Sequence, residues 1–261
     1  MTTATRRRPH QVAAGIHYLS TGPWRLASNV YFVESGNSWA LIDAGWPGHA
    51  ARIRSAAESL FGRGTRPAAI LLSHIHPDHS GSAENLARYW DLPVLVHPAE
   101  VPQARGGILP GYASPLDRFV IGPLLRLLPP RSTKRADPLA DFVQQFDPDG
   151  PVHGLPGWRC IPAPGHTPGS VVYFRPSDRV MISGDALCTV DLNSVRGFVL
   201  GRPTLGGPPW VSTWNWSRAR GSVARLAELE PTVVAGGHGC PMTGFAPVLH
   251  DLPYRMHRRL R

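Results

Sequence analysis

The sequence predicts an α/β protein whose sheets pack against helices. Two observations carry that expectation. Apolar runs of strand length alternate with single stretches of helical periodicity. The 261 residues are 42% apolar and 17% charged, a composition that builds a core and is not that of a disordered chain. With 27 glycines and 28 prolines, loops should be many and long.

The chain opens with three short strands, Gly15–Leu19, Asn29–Glu34 and Trp39–Asp43, the second followed by a Ser-Gly-Asn turn signal. Gly48–Phe61 reads as a helix because Ile53, Ala56, Ala57 and Leu60 share one face, and Gly62 and Gly64 stop it. Ala68–Ser73 is a continuous apolar run with the length of a buried strand. Ser82–Trp90 reads as a second helix and Val94–Val96 as a short strand. Strands resume at Val171–Phe174 and Val180–Ser183. Thr213–Leu229 then reads as a helix, and Thr232–Ala235 as a strand running into Gly-Gly-His.

Residues 98–155 interrupt this pattern. They hold Pro, Gly and an apolar stretch, Phe119–Leu128, broken at Gly122-Pro123. A structureless loop of that length would be unusual, so the insertion should be partly helical. It either packs on the body or forms a lid over an apolar site. The organisation expected is a basic tail over residues 1–14, one domain over 15–249 carrying this insertion, and a second basic tail over 250–261.

Charge and cysteine content narrow the function. Of the net charge of +9, Arg6, Arg7 and Arg8 supply three, and Arg255, Arg258, Arg259 and Arg261 against Asp251 supply three more, so residues 9–249 carry only three. An excess confined to the ends reads as solvated tails, which disfavours nucleic acid as the partner. No apolar run reaches the ~18 residues of a membrane span. The basic start lacks the apolar core of a secretory signal. Cys160, Cys188 and Cys240 are too few for a disulfide framework, so a reducing cytoplasm is the expected compartment.

The strongest chemical signal is Ser73-His74-Ile75-His76-Pro77-Asp78-His79-Ser80-Gly81, with three histidines and an aspartate directly after a buried strand. Imidazole suits zinc, and carboxylate oxygens accept zinc and other divalent metals. His74 and His76 alternate, so they can point together and leave Asp78 and His79 for a neighbouring position. Three further candidates sit at strand ends beside glycines, which let backbone crowd around a metal. They are His166 in Pro164-Gly165-His166-Thr167-Pro168-Gly169-Ser170, Asp185 in Ser183-Gly184-Asp185, and His238 in Gly236-Gly237-His238-Gly239.

The set HIHPDHSG, PGHTPGS, SGDAL and GGHG resembles the metallo-β-lactamase superfamily of metal-dependent hydrolases, over about Gly15 to Gly239. The resemblance implies an αββα sandwich, two mixed sheets back to back with helices outside and metals at one sheet edge. It implies that His74, His76 and His166 hold one metal, that Asp78, His79 and His238 hold a second, and that Asp185 bridges them. Asp78 and Asp185 are then the carboxylates of the catalytic centre. Asp43, in Leu41-Ile42-Asp43-Ala44-Gly45, matches a family position that supports the site from behind. The implied cofactor is a pair of divalent ions, zinc first, with manganese or iron also compatible.

Two such ions can share a hydroxide made from water at neutral pH and direct it at a carbonyl or phosphoryl centre. Departures from the family's branches select among substrates. Class B1 β-lactamases place a cysteine where this chain has Asp185, and flavodiiron reductases a glutamate where it has His76. Glyoxalase II resembles the core motifs but adds a helical domain for which the residues after His238 are too few. Compact lactonases and esterases match best. The expected activity is hydrolysis of an ester, thioester or lactone in a small-molecule substrate with an apolar or acyl portion. The insertion and Trp210, Trp214 and Trp216 are candidates to line an acyl pocket. The alternatives on the same fold are a mononuclear-iron persulfide dioxygenase and a phosphodiesterase or nuclease.

Overall fold

The structure, a computed structural model, describes residues 8–106 and 138–258. Its first sheet holds seven strands in chain order: β1 (His10–Ala13), β2 (Ile16–Thr21), β3 (Ser28–Ser35), β4 (Ser38–Ile42), β5 (Ala69–Leu71), β6 (Val94–Val96) and β7 (Val143–Gln145). The first four pair antiparallel, and β4 to β7 run parallel. The parallel pairs require crossovers, and α1 (Ala50–Phe61) and α3 (Ala83–Trp90) supply two of them. A short turn of helix, α2 (Pro77–Ser80), lies between β5 and α3, and another, α4 (Val101–Ala104), follows β6.

The second sheet begins with β8 (Arg159–Pro162), β9 (Val171–Arg175) and β10 (Val180–Gly184). A separate ribbon of β11 (Cys188–Val190) and β12 (Pro203–Gly206) follows, with α5 (Val195–Leu200) between its strands. After α6 (Trp216–Ala227), β13 (Val233–Gly236) pairs parallel with β10 and β14 (Met242–Thr243) completes the sheet, in the order β14-β13-β10-β9-β8. The last element is α7 (Ala246–Arg258).

Side-chain alternation along the strands explains why the sheets stack. Ile16, Tyr18, Tyr31, Val33, Ala40, Ile42 and Leu71 face one way and meet Val171, Tyr173, Val180 and Ile182 of the other sheet. The intervening residues Leu19, Val30, Phe32, Leu41 and Ile70 face the opposite way and pack on Ile53, Ala57, Leu86 and Trp90 of α1 and α3. Val172, Phe174 and Met181 likewise pack on Val223 and Leu226 of α6 and Leu249, Leu252 and Met256 of α7. Three apolar layers between four structural layers make the αββα sandwich.

The helix ends follow local chemistry. α1 stops where Gly62 takes φ 97° and returns its N–H to Glu58 O. α6 starts at Trp216 and not at Thr213, because the Asn215 side chain accepts the Arg218 N–H at 2.9 Å and caps the first turn.

Parts of both expected tails lie in described elements. Residues His10–Ala13 form β1 on the edge of the first sheet, and Ala246–Arg258 form α7, whose Leu249, Leu252 and Met256 are buried. In α7 the buried residues alternate with polar ones that include Arg255, which hides them from a charge count. The insertion is also less separate than expected: its last part contributes β7 to the first sheet and places Leu139 in the core beneath it. Phe119–Leu128 lies outside the described residues.

Candidate metal centre

All seven expected donors converge at one edge of the sandwich. β5 runs into His74, β10 into Asp185 and β13 into His238, so three parallel-type strand ends deliver donors to the same edge. His166 comes from the turn joining β8 to β9. Crevices beyond the carboxyl ends of strands are where α/β sheets bind ligands. Pro77 opens α2, which turns the chain so that Asp78 and His79 face back toward His74.

The donors form two groups joined by one carboxylate. In the first, His74 Nε2, His76 Nδ1 and His166 Nε2 make a triangle with sides of 3.1, 2.9 and 3.2 Å. In the second, Asp78 Oδ2 lies 3.2 Å from His238 Nε2 and 3.6 Å from His79 Nε2. Asp185 stands between them. Its Oδ2 is 3.3 Å from His166 Nε2 and 3.4 Å from His238 Nε2, and its Oδ1 is 3.3 Å from His79 Nε2. Three overlapping sets of these atoms are compact enough to hold a metal ion.

Hydrogen bonds behind the imidazoles fix which nitrogen faces inward. Asp43 accepts from His79 Nδ1 at 2.8 Å and from Ser73 N and Oγ at 2.8 and 2.9 Å. Since the Ser73 hydroxyl donates to Asp43, it accepts from His74 Nδ1 at 3.0 Å. By the same logic the Thr213 hydroxyl, which donates to Pro209 O, accepts from His166 Nδ1 at 3.3 Å. His238 Nδ1 donates to Ala27 O at 2.9 Å. Each of these four rings spends its Nδ1–H outward and turns Nε2 toward the cluster, the arrangement metal-bound histidines need.

That arrangement fits a metal on physical grounds. His74 and His166, two corners of the imidazole triangle, already spend their ring protons on Ser73 and Thr213, so their Nε2 atoms meet lone pair to lone pair, which a cation relieves. His79 Nε2 and Asp185 Oδ1 are buried without a hydrogen-bond partner, a costly state for polar atoms in a core. The donor chemistry, five imidazoles and two carboxylates, suits zinc, iron or manganese.

Charge divides the cluster in the same way. Burial and then the neighbouring imidazoles push His74 well below the usual histidine range and His166 down to about 3. Burial works against charge on His238 and His79 as well, but the carboxylates around them outweigh it, raising His238 to about 10 and His79 well above its ordinary value. Burial would also raise Asp78 and Asp185, but the attraction of His79 and His238 prevails, holding Asp78 at about 2 and Asp185 well below the carboxylate range. The carboxylates therefore recruit positive charge to the gap beside Asp185.

β3 stitches the two sheets together at this edge. Asn29 Nδ2 donates to Gly236 O at 3.0 Å and Gly239 O at 2.7 Å, and Tyr31 OH donates to Gly236 O at 2.6 Å. The Ser28 hydroxyl donates to Asp78 O. Gly237 sits in the stitched loop with no room for a side chain: a Cβ there would fall 2.1 Å from Asp185 Oδ1 and 2.8 Å from His79 Cε1. Gly237→Ala is expected to weaken metal binding by ~10-fold or more, on the scale of losing a group that orients ligands. Chelator competition beside a far-UV circular dichroism spectrum checks it, and unchanged affinity in a folded variant would refute the crowding argument.

The sequence motifs hold the seven candidate donors and Asp43, which the structure brings together, but not the groups that orient their rings. Ser73 had a signal, a hydroxyl next to a histidine. Thr213 and the Ala27 carbonyl had none, because they lie 47 and 211 residues from the rings they orient. Trp216 was expected near the site, but its indole packs with α7 and donates to Met256 O at 3.3 Å. Trp214 adjoins the cluster through its backbone, donating its N–H to His166 O at 3.0 Å.

Strand ends bring five histidines and two aspartates together, in overlapping sets that could hold metal, at one edge of an αββα sandwich. The chain belongs to the metallo-β-lactamase superfamily, whose family model matches residues 23–238. It is 36% identical over 251 residues to the probable metallo-hydrolase YflN of Bacillus subtilis (strain 168), covering 94% of this chain and 92% of that one. TTHA1623, solved in a di-iron-bound form, is 26% identical with a TM-score of 0.60, over 91% of this chain and 98% of that one. AidC, a dizinc quorum-quenching lactonase solved with a product, shares the fold with a TM-score of 0.57 at 18% identity, over 81% of this chain and 72% of that one. The protein is thus a metallo-hydrolase of this superfamily with His/Asp clusters suited to divalent metal.

Proposed function

We propose that the protein is a dizinc hydrolase of esters, thioesters or lactones whose substrate carries an apolar acyl portion. The observation that carries the reading is the joined pair of donor groups, with Asp185 within 3.4 Å of one histidine in each. In this reading His74, His76 and His166 hold one ion, Asp78, His79 and His238 hold the other, and Asp185 spans both. When bound, the ions supply an activated water and a Lewis acid for the electrophilic oxygen. The chain's own residues do the remaining work. Asp185 offsets the charge of the pair and sets the spacing of the two groups. Asp78, whose side chain keeps 18% of its surface open while Asp185 keeps 3%, faces water entering the site and orients it.

The acyl preference is supported by exposed apolar side chains on two segments that hold donor histidines and on α5 beside them. The loop ending at Ala27, which holds His238, carries Trp24, 61% exposed, and Leu26. Trp24 meets Phe198 of α5 edge to face at 6.4 Å, and Val195 and Val199 lie exposed on the same helix. The turn before Thr213, which holds His166, carries exposed Trp210 and Val211 and is tied to the start of α5 by the Trp210 N–H on Asn193 Oδ1, at 2.6 Å. Apolar surface gathered beside a polar site marks a place where apolar ligand is covered.

The test is a hydrolysis screen on metal-quantified protein over lactones, thioesters, phosphodiesters and β-lactams, with acyl length varied. Two zincs per chain and turnover of acyl substrates are expected. One iron per chain, or turnover confined to phosphodiesters, would replace the reading. Trp24→Ser should raise KM for long-acyl substrates ~10-fold, about 1.4 kcal/mol of lost apolar contact, and leave short activated esters unchanged. Equal losses on both would remove Trp24 from substrate binding.

A further inference from the structure

Glu100 is a fully buried carboxylate that belongs to none of the donor groups. It stands at the start of α4, and each of its oxygens takes a backbone N–H from a different donor-bearing loop. Oε2 accepts from Ile75 N at 2.8 Å, and Oε1 accepts from Gly169 N at 2.7 Å. Ile75 is the residue between His74 and His76, and Gly169 lies in the turn that carries His166. Gln103, within α4, holds the other end of the same residue: its Nε2 donates to Ile75 O at 3.0 Å. The N–H and the C=O of Ile75 are therefore both gripped from one element. Their orientation decides how the side chains on either side of Ile75 diverge.

Space is reserved for this carboxylate. A Cβ on Gly169 would fall 2.8 Å from Glu100 Cγ and 2.9 Å from its Oε1. The backbone at Gly169 does not have a positive φ, so the requirement for glycine is one of room. Glutamine is the same size as glutamate but cannot replace it, because an amide presents one acceptor and one donor where two N–H groups point in.

We propose that Glu100, with Gln103, is a positioning residue that holds the His76-bearing loop in register with the His166-bearing turn. It thereby sets the metal affinity of the His74/His76/His166 group without touching metal or substrate. The Asp78/His79/His238 group is held through Asp43 and Ala27 O and takes no bond from Glu100 or Gln103. The inference rests on reading the three histidines as one metal position.

The experiment is a titration of metal-free protein with Co2+, followed by its visible absorption and by chelator competition. Wild type should bind two ions. Glu100→Gln should weaken one of the two steps by ~10–100-fold, the usual scale for losing a group that orients ligands, and leave the other within twofold. Gly169→Ala should give the same pattern, and in a Glu100→Ala background it should add less, since of the two groups a Cβ there would press, Glu100 and His97, the carboxylate is gone. Leu86→Ala, a core truncation in α3, should lower the melting temperature and move neither step, which separates positioning from general loss of stability. If Glu100→Gln does not fold, Gln103→Leu, which removes only the bond to Ile75 O, should still weaken the same step. Two unchanged steps in the folded variants, or equal weakening of both, overturn the proposal. A wild type that takes up no metal overturns it together with the reading of the site.

Discussion

Asp185→Asn is expected to lower kcat/KM by ~10²-fold or more while leaving the chain folded, which corresponds to about 2.7 kcal/mol of lost transition-state stabilisation. The side chain keeps its shape, so packing against Gly237 and the surrounding loops is retained. What changes is charge and donor character. Asp185 approaches His79, His166 and His238 at 3.3 to 3.4 Å with acceptor oxygens. An amide at this position must aim an N–H into a cluster built to receive a cation. The measurement is steady-state hydrolysis of the best substrate from the screen, with metal content determined on the same samples. Near-normal rates at full metal content would show that the two groups do not depend on a shared carboxylate.

Removal of the metal is expected to lower the melting temperature by about 10 °C without unfolding the protein at room temperature. A ligand that binds only the native state contributes RT ln(1 + [L]/Kd), ~4 kcal/mol at a thousandfold excess over Kd. For a chain of this size each kcal/mol moves Tm by a few degrees, giving a shift on the order of 10 °C. The fold survives because the three apolar layers lie away from the donors and are closed by strand pairing and helices. The donors also have supports that need no metal, among them Asp43, Thr213 and Ala27 O. Melting curves with and without chelator decide the matter. An unchanged Tm after proven removal would mean the donors do not bind as one tight site.

The parts of this fold legible in the sequence are those where one physical signal dominates. The strands around Tyr31, Leu41, Ile70 and Tyr173 are buried on both faces, so each reads as an unbroken apolar run. The donors are legible because their spacing is local, or because glycine flanks them at a strand end. β7 escaped because Val143-Gln144-Gln145 is a short edge strand with two polar residues, and its pairing with β6 is visible only in three dimensions. β8 escaped because Arg159–Pro162 is only partly buried and ends in proline. α7 escaped because Pro253 interrupts its pattern and its arginines resemble a solvated tail. Glu100 reads as a loop residue after Pro98, and nothing near it in sequence announces the two amides it holds.

The bonds from β3 to the loop after β13 have a kinetic consequence. Asn29 and Tyr31 meet Gly236 across 207 and 205 residues of chain, among the longest separations in the molecule. Contacts of that span are slow to form, since the entropy of closing the intervening loop is lost before the contact returns anything. A chain with only its first sheet assembled would hold His74, His76, Asp78 and His79 beside β5 but would lack His166, Asp185 and His238 and the carbonyl partners of β3. On the proposed donor set, high-affinity capture of metal is expected to wait for the docking of the two sheets, so the rate at which refolding apoprotein becomes able to bind metal should match the rate of its slowest folding phase.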